Sequence, residues 1–166
     1  MHYPSIQTNV ATTLLRRAAT NPDRTAVIFE DQQITYNELA DRVRKQANLF
    51  KEHGICMGDR VGFLGFNQPA FLETMYAANA IGAIFVPLNF RLTAQELIFI
   101  INDAGIHSLV VDDASLSVVD PVREQFCCHH FYSAESTFDG WHSLVNERAK
   151  REPLAQEVTM TQHDVA

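Results

Sequence analysis

The sequence predicts an α/β fold: a doubly wound, mostly parallel sheet flanked by helices, with a small hairpin near the N-terminus. Three observations predict it. From Asp59 onward, short apolar runs alternate strictly with amphipathic helical segments. Two helices carry the same start signal, a threonine followed three residues later by a glutamate, at Thr35/Glu38 and Thr93/Glu96. Each strand reaches the next through a single helix, which implies parallel pairing with right-handed crossovers.

Taken in order, a first helix runs from about Asn9 to Ala19, capped by Asn9 and ended by Asn21-Pro22-Asp23. Thr25 to Glu30 reads as a strand, which Asp31-Gln32-Gln33 turns back toward Ile34-Thr35-Tyr36. Thr35 then opens the clearest helix. Leu39, Val43, Ala47 and Phe50 share its apolar face, Arg42, Lys45 and Gln46 lie off it, and Gly54 stops it. Arg60 to Gly65 is the next strand. Asn67-Gln68-Pro69 starts a helix to about Ile81, and proline suits a first turn because its missing amide would be unpaired there anyway.

The run from Gly82 to Arg91 is the most informative. Gly82 lets the helix stop in a left-handed conformation. Ala83 to Val86 form a short buried strand, and pairing should stop at Pro87, which has no amide to donate. Asn89 and Arg91 follow at a strand's carboxyl end, where open α/β sheets place ligands. The second capping box, at Thr93, opens a helix with Leu97, Ile98, Ile101 and Ala104 on its buried face; Gly105 ends it, and His107 to Val111 is a strand. Ser115 to Gln125 is helical, and Pro121 either splits it into two short pieces or moves its start to Asp120. Cys127 to Tyr132 reads as a further strand, and Asp139 to Lys150 as a helix with Trp141, Leu144 and Val145 facing inward. Residues 151–166 are a polar tail. The organisation is a single partial domain over residues 1–166 with a βαβαβ core over 59–132.

Composition narrows the function. Hydrophobic residues make up 46% and charged residues 20%, a globular balance. The net charge of −7 argues against nucleic acid, which needs a basic face. No apolar run reaches the roughly 20 residues of a membrane span, so no transmembrane segment is expected. Met1-His2-Tyr3-Pro4 does not open a secretion signal, and Cys56, Cys127 and Cys128 form no disulfide framework, so a cytoplasmic setting is expected.

The candidate chemistry is thin. In Cys127-Cys128-His129-His130, alternation along a strand lets only Cys127 with His129, or Cys128 with His130, share a ligand. Structural zinc wants two spaced pairs, and His142 stands isolated, so no metal site is read. Gly58, Gly62 and Gly65 lie before, within and at the end of a strand, whereas a dinucleotide fingerprint needs its glycines in the loop that opens a helix. Close backbone packing explains them. Asp112, Asp113 and Glu124 read more readily as caps and solvated charge than as a catalytic pair. Ser133 to Ser136 and the seven histidines form no nucleophile–base–orienter set. Trp141 reads as core. Arg91 is the best single polar candidate, with a loop anchor or surface ion pair at least as plain a role. No catalytic residue is assigned, and the cofactor-binding residues stay unknown.

Three segments in order give a further lead. Ile34-Thr35-Tyr36-Asn37-Glu38-Leu39 is similar to a Leu-Thr-Tyr-x-Glu-Leu motif. Gly58-Asp59-Arg60-Val61 with Asn67 is similar to a Gly-Asp-Arg-Val strand followed by a Pro-Asn loop, with Phe66 in place of the proline. Ala80 to Arg91 is similar to a Lys-x-Gly-Ala-x-x-Val-Pro-Leu-Asn-x-Arg segment, with Asn79-Ala80-Ile81 departing from the lysine. Together they make the chain resemble the N-terminal part of the adenylate-forming, AMP-binding acyl-CoA synthetases, over roughly residues 8 to 166. Pro-Leu-Asn followed by Arg91 looks more like fatty-acid and aryl CoA ligases than peptide synthetases.

The resemblance implies a ligase of fatty acid metabolism or its aryl counterpart, using ATP, Mg²⁺ and coenzyme A on a small-molecule carboxylic acid. It also implies that the chain is truncated. The family's Tyr-Thr-Ser-Gly-Thr-Thr-Gly-x-Pro-Lys-Gly phosphate loop does not occur in the sequence. Thr161-Gln162-His163-Asp164-Val165-Ala166 resembles the lead-in to the strand before it. The isolated chain is therefore expected to be inactive and to need no cofactor of its own. A truncated paralogue acting as an interaction module is the second reading, and an unrelated flavodoxin-like nucleotide binder the third. Homo-oligomerisation is left open.

Overall fold

Local capping sets the frame of this computed structural model, which describes residues 9–158. Asn9 caps α1 (Val10–Thr20), its side-chain oxygen accepting from the Ala11 amide at 2.9 Å. The Asn9 amide group also donates to the carbonyls of Asn79 and Val158, which ties the two ends of the described chain together. A hairpin follows, β1 (Thr25–Phe29) with β2 (Gln32–Thr35). Its tip is Glu30-Asp31, earlier than the sequence suggests. A two-residue loop needs left-handed backbone, and Glu30 supplies it with φ +51°.

Thr35 and Glu38 then form the complete capping box of α2 (Tyr36–Glu52), with Thr35 N donating to Glu38 at 2.8 Å. That bond and the Thr35 hydroxyl hold the exposed Glu38 carboxyl below its usual range. Leu39, Val43, Ala47 and Phe50 are buried, as their spacing predicts. Gln46 is buried too, against expectation, because its side chain donates to the Thr74 hydroxyl on the neighbouring helix at 3.0 Å.

The main sheet has five parallel strands, β3 (Arg60–Leu64), β4 (Ile84–Leu88), β5 (Ile106–Val111), β6 (His130–Ser133) and β7 (His142–Ser143), in the order β4-β3-β5-β6-β7. Helix α3 (Pro69–Ala80) connects β3 to β4, and α4 (Ala94–Asp103) connects β4 to β5. Between β5 and β6 the chain makes α5 (Leu116–Val119) and a 3-10 turn over Asp120–Gln125, so Pro121 does split this segment into two pieces. The last helix is α6 (Leu144–Ala149).

The sheet separates two cores. Val61, Phe63, Val110 and Tyr132 point into one, with the buried faces of α1, α2 and α3. Leu64, Leu109 and Val111 point into the other, with α4, α5, Phe126 and Trp141. This alternation along each strand, with helices on both faces, makes the fold doubly wound.

Three local readings change. Pro87 does not end its strand: β4 runs to Leu88, with Pro87 beside Phe63. Because β4 is an edge strand, the amide that proline lacks has no ladder to serve on the outer side. The edge position also leaves Ile84, Phe85 and Val86 half-buried rather than buried. Asp139 to Lys150 is not one helix. Trp141 is buried, His142-Ser143 pair with β6, and α6 starts only at Leu144, which turns Val145 outward. The strand expected from Cys127 starts at His130, because the Cys127 amide is taken by the Asn102 side chain at 2.7 Å.

Part of the polar tail is ordered against the domain. Leu154 is buried, its amide donates to the Arg44 carbonyl, and the Val158 amide donates to the Ala80 carbonyl. The readings made on residues 1–4 and 161–166 lie outside the described residues.

Candidate functional site

The strand order β4-β3-β5 changes direction between β3 and β5, and doubly wound sheets hold ligands in the crevice outside the carboxyl ends at such a point. Here the crevice is filled by Asp112. One of its carboxylate oxygens accepts from the Phe66 amide at 2.8 Å, and the other from the Ser115 amide at 2.8 Å. A side chain at Gly65 would put its Cβ 2.5 Å from the Asp112 carboxyl carbon, so glycine is what allows this approach. Gly62 is closely packed too, with Ile106 3.0 Å from its would-be Cβ, whereas Gly58 has open space around it and is explained by its left-handed backbone, φ +86°, rather than by packing.

The same economy holds along the whole carboxyl edge. The Arg91 amide donates to the Asn89 side chain at 3.0 Å, and the Ser136 amide donates to Asp113 at 3.3 Å. The Ser136 hydroxyl also donates to Asp113. A phosphate cradle needs several free amides pointing at one place. Four amides that could serve are already capped by the chain's own side chains. Asn89, Asp112 and Asp113 are thus caps, and Glu124 is exposed on the 3-10 turn.

Arg91 is not in an ion pair among the described residues. Its guanidinium lies 5.4 Å from the centre of the Phe90 ring, which itself packs 4.2 Å from the Phe66 ring. Phe66 is 50% exposed and Phe90 37%. The carboxyl edge therefore presents an aromatic pair and one cation to its surroundings.

Beside this edge lies a cleft of about 600 Å³ between the hairpin tip, α2, α3 and α6. Its walls carry five carboxylates, from Glu30, Asp31, Asp41, Glu73 and Glu135, against the cations Arg42, Lys45 and Arg148. Glu73 is buried and clasped by Arg42 at 3.1 Å and by Arg148, so all three charges are spent on joining α2, α3 and α6. Partial burial, reinforced by Asp113, Asp112 and Glu30, pushes the Glu135 carboxyl above its usual range. A surface of this sign repels phosphate. The described residues do not fit a nucleoside triphosphate with Mg²⁺.

The remaining candidates resolve as follows. Trp141 packs in the core and donates to Asp120 at 2.8 Å. Ser133 donates to the Ser136 carbonyl. Ser108 contacts His107 at 2.9 Å but is fully buried, out of reach of a substrate. Burial pushes the Cys128 thiol up to about 12, which makes it a poor thiolate ligand. His142 is not isolated. It meets His53 and His130 at the amino end of the sheet, with ring centres 5.1 and 6.5 Å away. Sequence spacing carries no signal for that grouping, since the three histidines come from a helix end and two separate strands.

Among the described residues no helix is long and apolar enough to cross a membrane. Comparison with known proteins places the chain as follows. A family described as AMP-binding enzyme matches residues 14–166. A feruloyl-CoA synthase from Amycolatopsis sp. is 46% identical over 96 residues, which are 58% of this chain and 20% of that protein. A 4-hydroxybutyrate–CoA ligase from Metallosphaera sedula is 35% identical over 103 residues, 62% of this chain and 19% of that protein. In three dimensions, an anthranilate CoA ligase in complex with anthranoyl-AMP superposes with a TM-score of 0.90 at 20% identity, covering 98% of this chain and 32% of that one. The matched part of the chain thus spans about a fifth of these curated relatives.

Proposed function

Because the chain belongs to the AMP-binding enzyme family, we propose that it is the N-terminal part of an ATP-dependent carboxylate–CoA ligase and is inert by itself. In the complete reaction the carboxylate oxygen attacks the α-phosphorus of ATP and expels pyrophosphate. The thiolate of coenzyme A then attacks the acyl carbon and expels AMP, leaving the thioester. Both steps need a held triphosphate, with amides, a lysine and Mg²⁺ to carry its charge. The observation that carries the proposal is the capped carboxyl edge, where Asp112, Asn89 and Asp113 occupy the amides a phosphate would use.

What this chain supplies is a rigid wall. Phe66, Phe90 and Arg91 face outward from the strand ends, suited to meet the remainder of the enzyme and its bound substrates. The substrate class is a fatty or aryl acid, and the setting is cytoplasmic. A chimera tests this reading. Residues 14–166 replace the matched segment of the feruloyl-CoA synthase, and thioester formation from ferulate, ATP and coenzyme A is followed. Formation of feruloyl-CoA supports the N-terminal role. A folded but inactive chimera, with the lone chain binding tightly to an intact ligase, would assign an interaction module instead.

A further inference from the structure

Five of the chain's seven histidines gather at the amino end of the sheet, at the opposite edge from Asn89 and Arg91. His53 caps the C-terminus of α2. His130 opens β6, and His142 opens β7. The His53 ring centre lies 5.0 Å from that of His130 and 5.1 Å from that of His142. One ligand nitrogen from each of the three lies within 4.8 Å of the other two. Tetrahedral zinc, with bonds of about 2.0–2.1 Å, holds its ligand nitrogens about 3.3 Å apart. Small side-chain rotations close that difference, and His142, exposed on a two-residue edge strand, is placed to make them.

We infer that His53, His130 and His142 form a three-imidazole site for a divalent transition-metal ion of the zinc type, with the fourth position open to water. The surroundings support it in three ways. First, the Tyr132 hydroxyl lies 2.7 Å from His53 Nδ1. The Tyr132 oxygen can accept from Nδ1–H, fix the ring and leave Nε2 to bind the metal. Second, His53 stands at the C-terminus of a 17-residue helix, whose negative dipole end favours a cation there. Third, the nearby cation Arg151 is matched by Glu52 at 3.0 Å and Glu147 at 2.8 Å, so it does not oppose a bound ion. Nitrogen donors select zinc-like ions over Mg²⁺ and Ca²⁺, which want oxygen.

Calorimetric titration of the 166-residue chain with zinc chloride near neutral pH tests the site. One saturable ion per chain is expected, with no saturable heat from magnesium chloride. His142→Ala removes an exposed ligand and weakens binding at least tenfold. Tyr132→Phe keeps the packing but frees the His53 ring, and weakens binding about tenfold. His129→Ala, outside the three, leaves it unchanged. Absence of saturable zinc binding, or equal affinity in His142→Ala, would overturn the inference.

Discussion

At the carboxyl end of the parallel sheet, Asp112, Asn89 and Asp113 each turn back onto a backbone amide of their own chain. At the amino end, His53, His130 and His142 turn toward one another and keep ring nitrogens free. The first end is chemically closed, and the second is chemically open. Family membership is thus written in residues that build backbone geometry, such as Gly82 and Pro87. Unspent donor capacity sits where no sequence pattern points.

The most severe way to break the closed end is Asp112→Ala. It removes two hydrogen bonds to a charged group, at about 1.5–3 kcal/mol each, and orphans the Phe66 amide, while the Ser115 amide keeps the carbonyl of residue 112 at 3.1 Å. A loss of about 3 kcal/mol in urea unfolding is expected. Arg148→Ala comes next, at about 2 kcal/mol. That is less than the 3–5 kcal/mol typical of breaking a buried pair, because Arg42 still faces Glu73. Both losses far exceed that of metal-free His142→Ala, expected within about 0.5 kcal/mol as for other exposed sites.

Acid sharpens the comparison from the other side. His53 and His130 are held below the usual histidine value by burial, with His142, His107, His129 and Arg151 opposing their charging and Glu147 favouring that of His53. The unfolded chain therefore binds protons first. Their contribution to stability is present above the ordinary histidine range and is lost as pH falls through it toward the lower folded values. Thermal unfolding of the chain should show that loss, and His130→Gln should flatten it. Glu135 runs the opposite way and more weakly. Its carboxyl is raised in the fold, so its charge disfavours folding at neutral pH. Glu135→Gln should stabilise slightly at pH 7, with the gain vanishing as pH drops below the ordinary carboxylate range.

The same contrast explains what was legible in the sequence. Thr35 with Glu38, and Thr93 with Glu96, each act within four residues, so both boxes are readable and both form. The Gly82 stop, with φ +77°, is readable for the same reason. Gln46 is not, because its burial depends on Thr74 of another helix. The persistence of β4 through Pro87 depends on the strand order, which places it at an edge. The amino-end histidines depend on β7, a two-residue strand hidden inside what reads as a helix. Local chemistry is legible; chemistry assembled by topology is not.

The central claim is that this chain builds the wall of a ligase without holding its phosphates. Isotope exchange between ATP and pyrophosphate measures that most directly, with the lone 166-residue chain, Mg²⁺ and a panel of fatty and aryl acids. The account predicts no exchange above the rate without protein for any acid. Acid-dependent exchange that tracks the amount of chain would contradict it.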